Sequence, residues 1–250
     1  MSGRPSAGPP FAAVFFDFAG TLFSDRALRD VHLLQLRFIA EAIGSSASDD
    51  ELRAAYRSGM ARAYREVASA PKYLHRTLFG AAFRETAVAL GGAIDGETVT
   101  EAVDRQYLAT VAAARVRPDG IDTLAALRSA SLHVQLVSNI DDEQLEPLID
   151  QLGLRDMIDA ATSSESAGSC KPDPLIYHVA LDKAGCPPAQ VLFVGDSLTH
   201  DIEGPAAVGM RTAWLVADAK PGQTGGARPD FVIDSLSEVL EIVGARGDVR

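Results

Sequence analysis

The sequence predicts an α/β protein: a Rossmann-like parallel sheet with helices on both faces, carrying an inserted α-helical cap domain. Three observations predict it. Short apolar runs at 14–16, 133–137, 191–194 and 211–216 close on glycine or polar residues, as strands buried on both faces do. From Arg115 onward strand and helix patterns alternate, which calls for a parallel sheet covered on both sides. Between the first apolar run and Arg115 the spacing is helical throughout.

Residues 1–10 are rich in Ser, Gly and Pro and lack an apolar stretch of signal-peptide length, so they read as a disordered leader. The strand at 14–16 delivers Asp17 to its carboxyl end, and Gly20 turns the chain. Val31, Leu34, Leu36, Phe38, Ile39 and Ile43 share one helix that Gly44 ends. Asp49-Asp50 open a second helix, by capping and by their interaction with its dipole, that runs through Leu52, Ala55, Tyr56, Met60 and Tyr64. Pro71 breaks it, periodicity resumes over 78–90, Gly91-Gly92 stop it again, and 98–113 form the last helix of the block.

Pro118-Asp119-Gly120 is a turn, 121–129 a helix, and 133–137 a strand ending at Ser138-Asn139. A helix over 141–152 takes Asp141 or Asp142 as its cap. A strand at 157–161 leads into a Ser-rich loop and a helix at 174–184. The strand 191–194 closes on Gly195-Asp196, followed by a helix at 202–208, strands at 211–216 and 231–233, and a helix at 236–243. The expected division is a core of 11–24 plus 115–250 and a helical cap of 25–114, which emerges just after Asp17 and can exclude water from the strand ends.

Composition narrows the function. With 250 residues and 47% hydrophobic content the chain can bury a sizeable core. A net charge of -11 argues against nucleic acid or an anionic membrane as partner, because both need a broad basic surface. Any phosphate site must therefore be local. Cys170 and Cys186 form neither a CxxC pair nor a zinc pattern, so reduced thiols in a cytoplasm are expected. No run reaches the roughly 18 apolar residues of a membrane span. The acidic surface allows a monomer or a homodimer.

Four segments place polar side chains where strands finish: Asp17 with Thr21; Ser138 with Asn139; Lys171 in Cys170-Lys171-Pro172-Asp173-Pro174; and Gly195-Asp196-Ser197 through Asp201. In a parallel sheet these ends share one edge. Asp17 and Asp196 can hold one hard cation through oxygen, as magnesium prefers when it keeps waters and a substrate phosphate. Lys171 offers a compact positive charge to phosphoryl oxygens, Ser138 and Asn139 offer hydrogen bonds, and Asp17 can attack phosphorus. Asp201 reads as support behind the metal ligands.

The motifs Asp17-Phe18-Ala19-Gly20-Thr21, Ser138-Asn139, Lys171-Pro172 and Gly195-Asp196-Ser197 through Asp201, in this order and spacing, resemble those of the haloacid dehalogenase-like (HAD) hydrolase superfamily. The resemblance covers the chain from Phe11 to about Val243. It implies that Asp17 is nucleophile and metal ligand, that the Ala19 carbonyl and Asp196 complete the magnesium ligands, and that Thr21, Ser138, Asn139 and Lys171 bind phosphate. It also implies an aspartyl-phosphate intermediate, a small phosphorylated metabolite as substrate, and a mobile cap.

One position departs. Most family phosphatases carry Asp two residues after the nucleophile, where it handles protons; here that residue is Ala19. General acid-base help is worth about 10² to 10⁴ in rate, so the change is mechanistically large. A magnesium-dependent phosphatase with another proton carrier, His200 or His75, is the leading expectation. Carbon-phosphorus cleavage is an alternative, since phosphonoacetaldehyde hydrolases of the superfamily also have Ala there and form a Schiff base; Lys72 is the only lysine in the expected cap. A catalytically weak, ligand-binding or regulatory protein is another. Dehalogenation is a fourth, disfavoured by Asp196 and by the missing bulky aromatic at position 19. Lys72, His75 and Arg76 in the cap are the candidates for substrate selection.

Overall fold

The computed structural model describes residues 11–23, 28–68, 70–216, 226 and 228–245. The leader and the first boundary of the inserted block, at 24–25, lie outside the described residues. In chain order the elements are β1 (Ala13–Phe16), α1 (Leu28–Ala42), α2 (Asp49–Val67), α3 (His75–Ala89), α4 (Gly96–Ala113), α5 (Gly120–Ser129), β2 (His133–Ser138), α6 (Asp142–Gln151), β3 (Ala160–Ser163) and α7 (Ser164–Ala167). Then come α8 (Pro174–Ala184), β4 (Val191–Gly195), a π-helical turn (Leu198–Glu203), α9 (Gly204–Ala207), β5 (Arg211–Leu215), β6 (Phe231–Ile233) and α10 (Val239–Ile242).

All six strands run parallel in the order β3-β2-β1-β4-β5-β6. β1 is central, and successive side chains of a strand point to opposite faces. Val14 and Phe16 accordingly join Leu124, Leu145, Leu148 and Val239 in one apolar layer, while Ala13 and Phe15 join Ile176, Tyr177 and Phe193 in the other. Phe15 and Phe16 are both fully buried, each worth about 1.5–3 kcal/mol on removal from water. This is why β1 reads as a continuous apolar run with no alternation.

The first four helices after β1, α1–α4, hold an apolar cluster of their own, built on Leu36, Ile39, Leu52, Phe83, Ala102 and Val103. Their boundaries differ from the expected ones for physical reasons. α2 is capped by Ser48, whose Oγ accepts from the Glu51 amide while Glu51 reaches back to the Ser48 amide; Asp49 and Asp50 instead occupy the first turn. α3 begins three residues before the expected 78, at His75, although Leu74 ahead of it supplies no capping side chain. Its cap comes from Asp141, far away in sequence.

In the second half the expected strand at 157–161 is β3 at Ala160–Ser163 instead. The Asp159 carboxylate takes the Val134 amide, and ladder pairing starts only beyond it, with Gln135 opposite Ala160. The Ser-rich loop holds the short helix α7, capped by Ser163. The helix expected at 202–208 begins earlier, as the π-helical turn at Leu198, because the Ser197 hydroxyl caps the His200 amide. No described helix is long and apolar enough to cross a membrane.

Candidate active site

Between β1 and β4 the order of the sheet reverses direction, and such a switch point opens a crevice at the strand carboxyl ends. The register pairs Phe16 with Val194, and the Asp17 amide donates to the Val194 carbonyl at 2.9 Å, so Asp17 and Asp196 leave neighbouring strands side by side. Ser138 is the last residue of β2, on the other flank of β1.

Lys171 reaches this crevice from the loop before α8. Its Nζ donates to Asp17 Oδ1 and to Asp201 Oδ1, both at 2.7 Å, and all three side chains are buried. It also lies 5.4 Å from the centroid of the Phe193 ring. Burial disfavours its charge, but Asp17 and Asp201 outweigh that and hold the ammonium above the ordinary lysine range. Burial pushes the Asp201 carboxyl upward, with Lys171 opposing. The second Asp201 oxygen accepts the Ser197 amide at 2.9 Å.

Two glycines make this proximity possible. A Cβ on Gly195 would lie 2.3 Å from the Asp201 Cβ, and one on Gly20 would lie 2.8 Å from Asp196 Oδ2. Gly20 also sits at φ +91°, where a side chain is strained. The turn after Asp17 folds on itself: the Phe18 carbonyl accepts the Thr21, Leu22 and Phe23 amides, and the Gly20 amide donates to the Phe23 carbonyl. Thr21 is buried and its hydroxyl donates to Asp17 Oδ2 at 3.1 Å. Ala19 is exposed between the buried Phe18 and Gly20.

The other expected residues fall into two groups. Asn139 exchanges two hydrogen bonds with the main chain of Lys171, its Oδ1 accepting from the Lys171 amide at 2.7 Å and its Nδ2 donating to the Lys171 carbonyl at 3.0 Å. That pair orients Lys171 and leaves one amide hydrogen of Asn139 for another acceptor. His75 and Arg76 open α3, with their amides 2.7 Å from the two oxygens of Asp141. The Arg76 guanidinium is engaged by Glu143 and Asp104 and lies over the Tyr107 ring, so it bridges inserted helices and core rather than offering an open cation. His75 Nε2 is buried with no protein hydrogen-bond partner, and burial, reinforced by Lys171, lowers its pKa. Lys72 is exposed, not set in the apolar pocket that favours a Schiff-base lysine.

Of the two expected caps of α6, Asp141 takes the cap position but gives that helix no side-chain hydrogen bond, its carboxylate serving α3 and the Tyr107 hydroxyl, and Asp142 lies in the first turn. Sequence reading also missed three supports. The Trp214 indole donates to the Asp196 carbonyl at 3.0 Å, the Tyr177 hydroxyl donates to the His200 carbonyl, and Arg117 holds the turn after Asp17. Only the single Trp on a strand beside Asp196 could have signalled any of these.

Asp17, Asp196 and Asp201 each offer a carboxylate oxygen, all within 4.8 Å of one another. Among the described residues, three carboxylates against one ammonium leave two formal negative charges in a buried site. That excess and the all-oxygen donor set fit a hard divalent cation such as Mg²⁺.

The haloacid dehalogenase-like hydrolase family model matches residues 11–209, and the chain belongs to that family. Among particular relatives, mouse haloacid dehalogenase-like hydrolase domain-containing protein 3 is 34% identical over 60% of this chain and 61% of its own. Glyceraldehyde 3-phosphate phosphatase of Methanopyrus kandleri is 29% identical over 92% of this chain and 96% of its own. Matches to the first curated relatives span only about 40–60% of their length. A Bacillus subtilis HAD-hydrolase solved bound to magnesium superposes with a TM-score of 0.76 over 94% of this chain and all of its own, at 19% identity, and so shares the fold. The relatives include both haloacid dehalogenases and phosphatases.

Proposed function

We propose that this hydrolase is a magnesium-dependent phosphatase that passes the phosphoryl group of a small metabolite to Asp17 and then to water. The observation that carries this reading is Lys171 Nζ at 2.7 Å from both Asp17 and Asp201, within a buried cluster that Asp196 makes more acidic. A haloacid would bring a further carboxylate toward that negative charge, whereas a phosphate arriving with a cation is compensated. Asp17, the Ala19 carbonyl and Asp196 would hold the ion, and Asp201, with both oxygens engaged, supports Lys171. Bound magnesium would neutralise phosphoryl oxygens so that an anionic nucleophile can approach.

Asp17 attacks phosphorus, its Oδ–P bond forms as the bond to the leaving oxygen breaks, and that oxygen takes a proton from the group that stands in for the missing acid, His200 or His75, which regains it from the attacking water. Water then attacks phosphorus, the bond to Asp17 breaks, and inorganic phosphate leaves. Lys171, Thr21, Ser138 and the spare amide hydrogen of Asn139 bind phosphoryl oxygens. Ala19 cannot move protons. His200 or His75 would carry protons in its place, and the helices α1–α4 act as the cap that shields the acyl phosphate. The protein acts in the cytoplasm, as a monomer or homodimer.

A phosphometabolite panel with and without magnesium tests the reading. Turnover of at least one member should need magnesium and vanish in Asp17→Asn. Unchanged activity in Asp17→Asn would remove the nucleophile; tight binding without turnover would make the protein a ligand-binding member.

A further inference from the structure

The turn Phe18–Phe23 satisfies much of its backbone internally, but the carbonyls of Gly20 and Thr21 look outward. Both are taken by one side chain. Arg117 Nη2 donates to the Gly20 carbonyl at 2.6 Å and Nε to the Thr21 carbonyl at 2.7 Å. The Arg117 amide donates to the Leu22 carbonyl at 2.9 Å, and its neighbour Val116 pairs antiparallel with Phe23. Four successive residues of the turn, 20 to 23, are therefore tied to 116–117.

The segment that supplies these bonds is the return path of the chain from α4, which ends at Ala113, to the core helix α5. The turn that receives them carries Thr21, whose hydroxyl fixes Asp17 Oδ2, and Gly20, which lies against the Asp196 carboxylate with no room for a Cβ. A shift of the turn would disturb both the Thr21 hydrogen bond to Asp17 and the contact of Gly20 with the Asp196 carboxylate. A guanidinium presents two parallel donors in a rigid plane, which matches two successive carbonyls; an ammonium on a flexible stem has no such fork.

We infer that Arg117 is a positioning residue for Asp17: it clamps the nucleophile turn to the segment returning from the inserted helices, so that their seating on the core and the geometry of the nucleophile are set together. The inference rests on the phosphatase reading for its kinetic consequence and on the hydrogen bonds alone for its structural one.

The test compares wild type with Arg117→Met and Arg117→Lys in the full chain. Hydrogen-deuterium exchange of peptides spanning residues 18–23 should speed up at least tenfold in Arg117→Met, with exchange in β2 and α8 unchanged. For the panel substrate turned over best, kcat should fall by about tenfold to 10²-fold, the scale of a misplaced reacting group, with KM unchanged. Arg117→Lys should fall between the two proteins in both readouts, and it serves in place of Arg117→Met if that variant fails to fold. Wild-type exchange at 18–23 in both variants overturns the clamp. Faster exchange with unchanged kcat overturns the link to Asp17. Absence of wild-type turnover on the whole panel defeats the phosphatase reading, while the exchange result still decides the clamp.

Discussion

The carboxylate of Asp141 and the backbone amide of His75 meet at 2.7 Å, joining the core loop after β2 to the first turn of an inserted helix. The same carboxylate takes the Arg76 amide at 2.7 Å and the Tyr107 hydroxyl at 2.9 Å. A negative charge at the positive end of α3 is favourable, and it fills two of the amide valences that a helix start leaves open. The Asp141 bonds, together with the Arg76 bridge to Glu143, seat the four-helix block on the core, while the Arg76 bridge to Asp104 ties α3 to α4 within the block.

Asp141→Ala should lower stability by about 1–3 kcal/mol, because a buried acceptor with three donors disappears and the donors lose their partner. Urea unfolding measures the loss, and hydrogen exchange should place it in the first turn of α3. A change below about 0.5 kcal/mol, the usual scatter of surface substitutions, would mean that the block is seated by other contacts.

Gly195→Ala should damage both fold and site, since its Cβ would lie 2.3 Å from the Asp201 Cβ and backbone or side chain must move. Overpacking of this kind costs about 1–3 kcal/mol. Gly96→Ala, at a helix start with nothing within 4 Å, is the control and should be neutral or slightly stabilising. Thermal melts and panel turnover on both variants separate a specific clash from a general intolerance of glycine replacement.

Ala19→Asp should raise kcat. Residue 19 is exposed at the site, so a carboxylate fits where the proton-handling group is missing. General acid-base catalysis is worth about 10² to 10⁴, and the gain should be largest for alkyl phosphates and small for a nitrophenyl ester whose leaving group needs no proton. An equal gain on both substrates would point to an effect other than protonation.

Magnesium should raise the melting temperature of the wild-type protein by binding at Asp17, the Ala19 carbonyl and Asp196 in the folded acidic cluster. Asp196→Asn should abolish that shift while keeping a cooperative melt. A shift that survives in Asp196→Asn would place the ion elsewhere.

Asp159 supplies a pH dependence. Burial raises its pKa, but the Val134 amide and Arg128 outweigh this and hold the carboxyl below the usual range. A depressed folded value means that its contribution is present above the unfolded pKa and is lost as pH falls through the folded one. The stability gap between wild type and Asp159→Asn should stay constant above about pH 5 and close below about pH 4. Denaturant titrations across that range test it, and a gap that widens toward acid would reverse the assignment.

The sequence by itself determined the class of fold and which residues crowd one edge of the sheet. Apolar runs such as Val14–Phe16 and the polar residues that end them are local features, and the parallel alternation sends every run's end to the same side. Asp17, Lys171, Asp196 and Asp201 were legible for that reason, and so was the gap at Ala19. What lay beyond reach were contacts made across the chain. Asn139 orienting Lys171, Asp141 capping α3 and not its own helix, Arg76 spent on Glu143 and Asp104, and Arg117 holding the turn of Gly20 and Thr21 all join residues 32 to 97 positions apart, apart from the Arg76 contacts, which reach 28 and 67. A charged or amide side chain has many possible partners of equal local merit, and only packing of the inserted helices on the sheet edge selects among them.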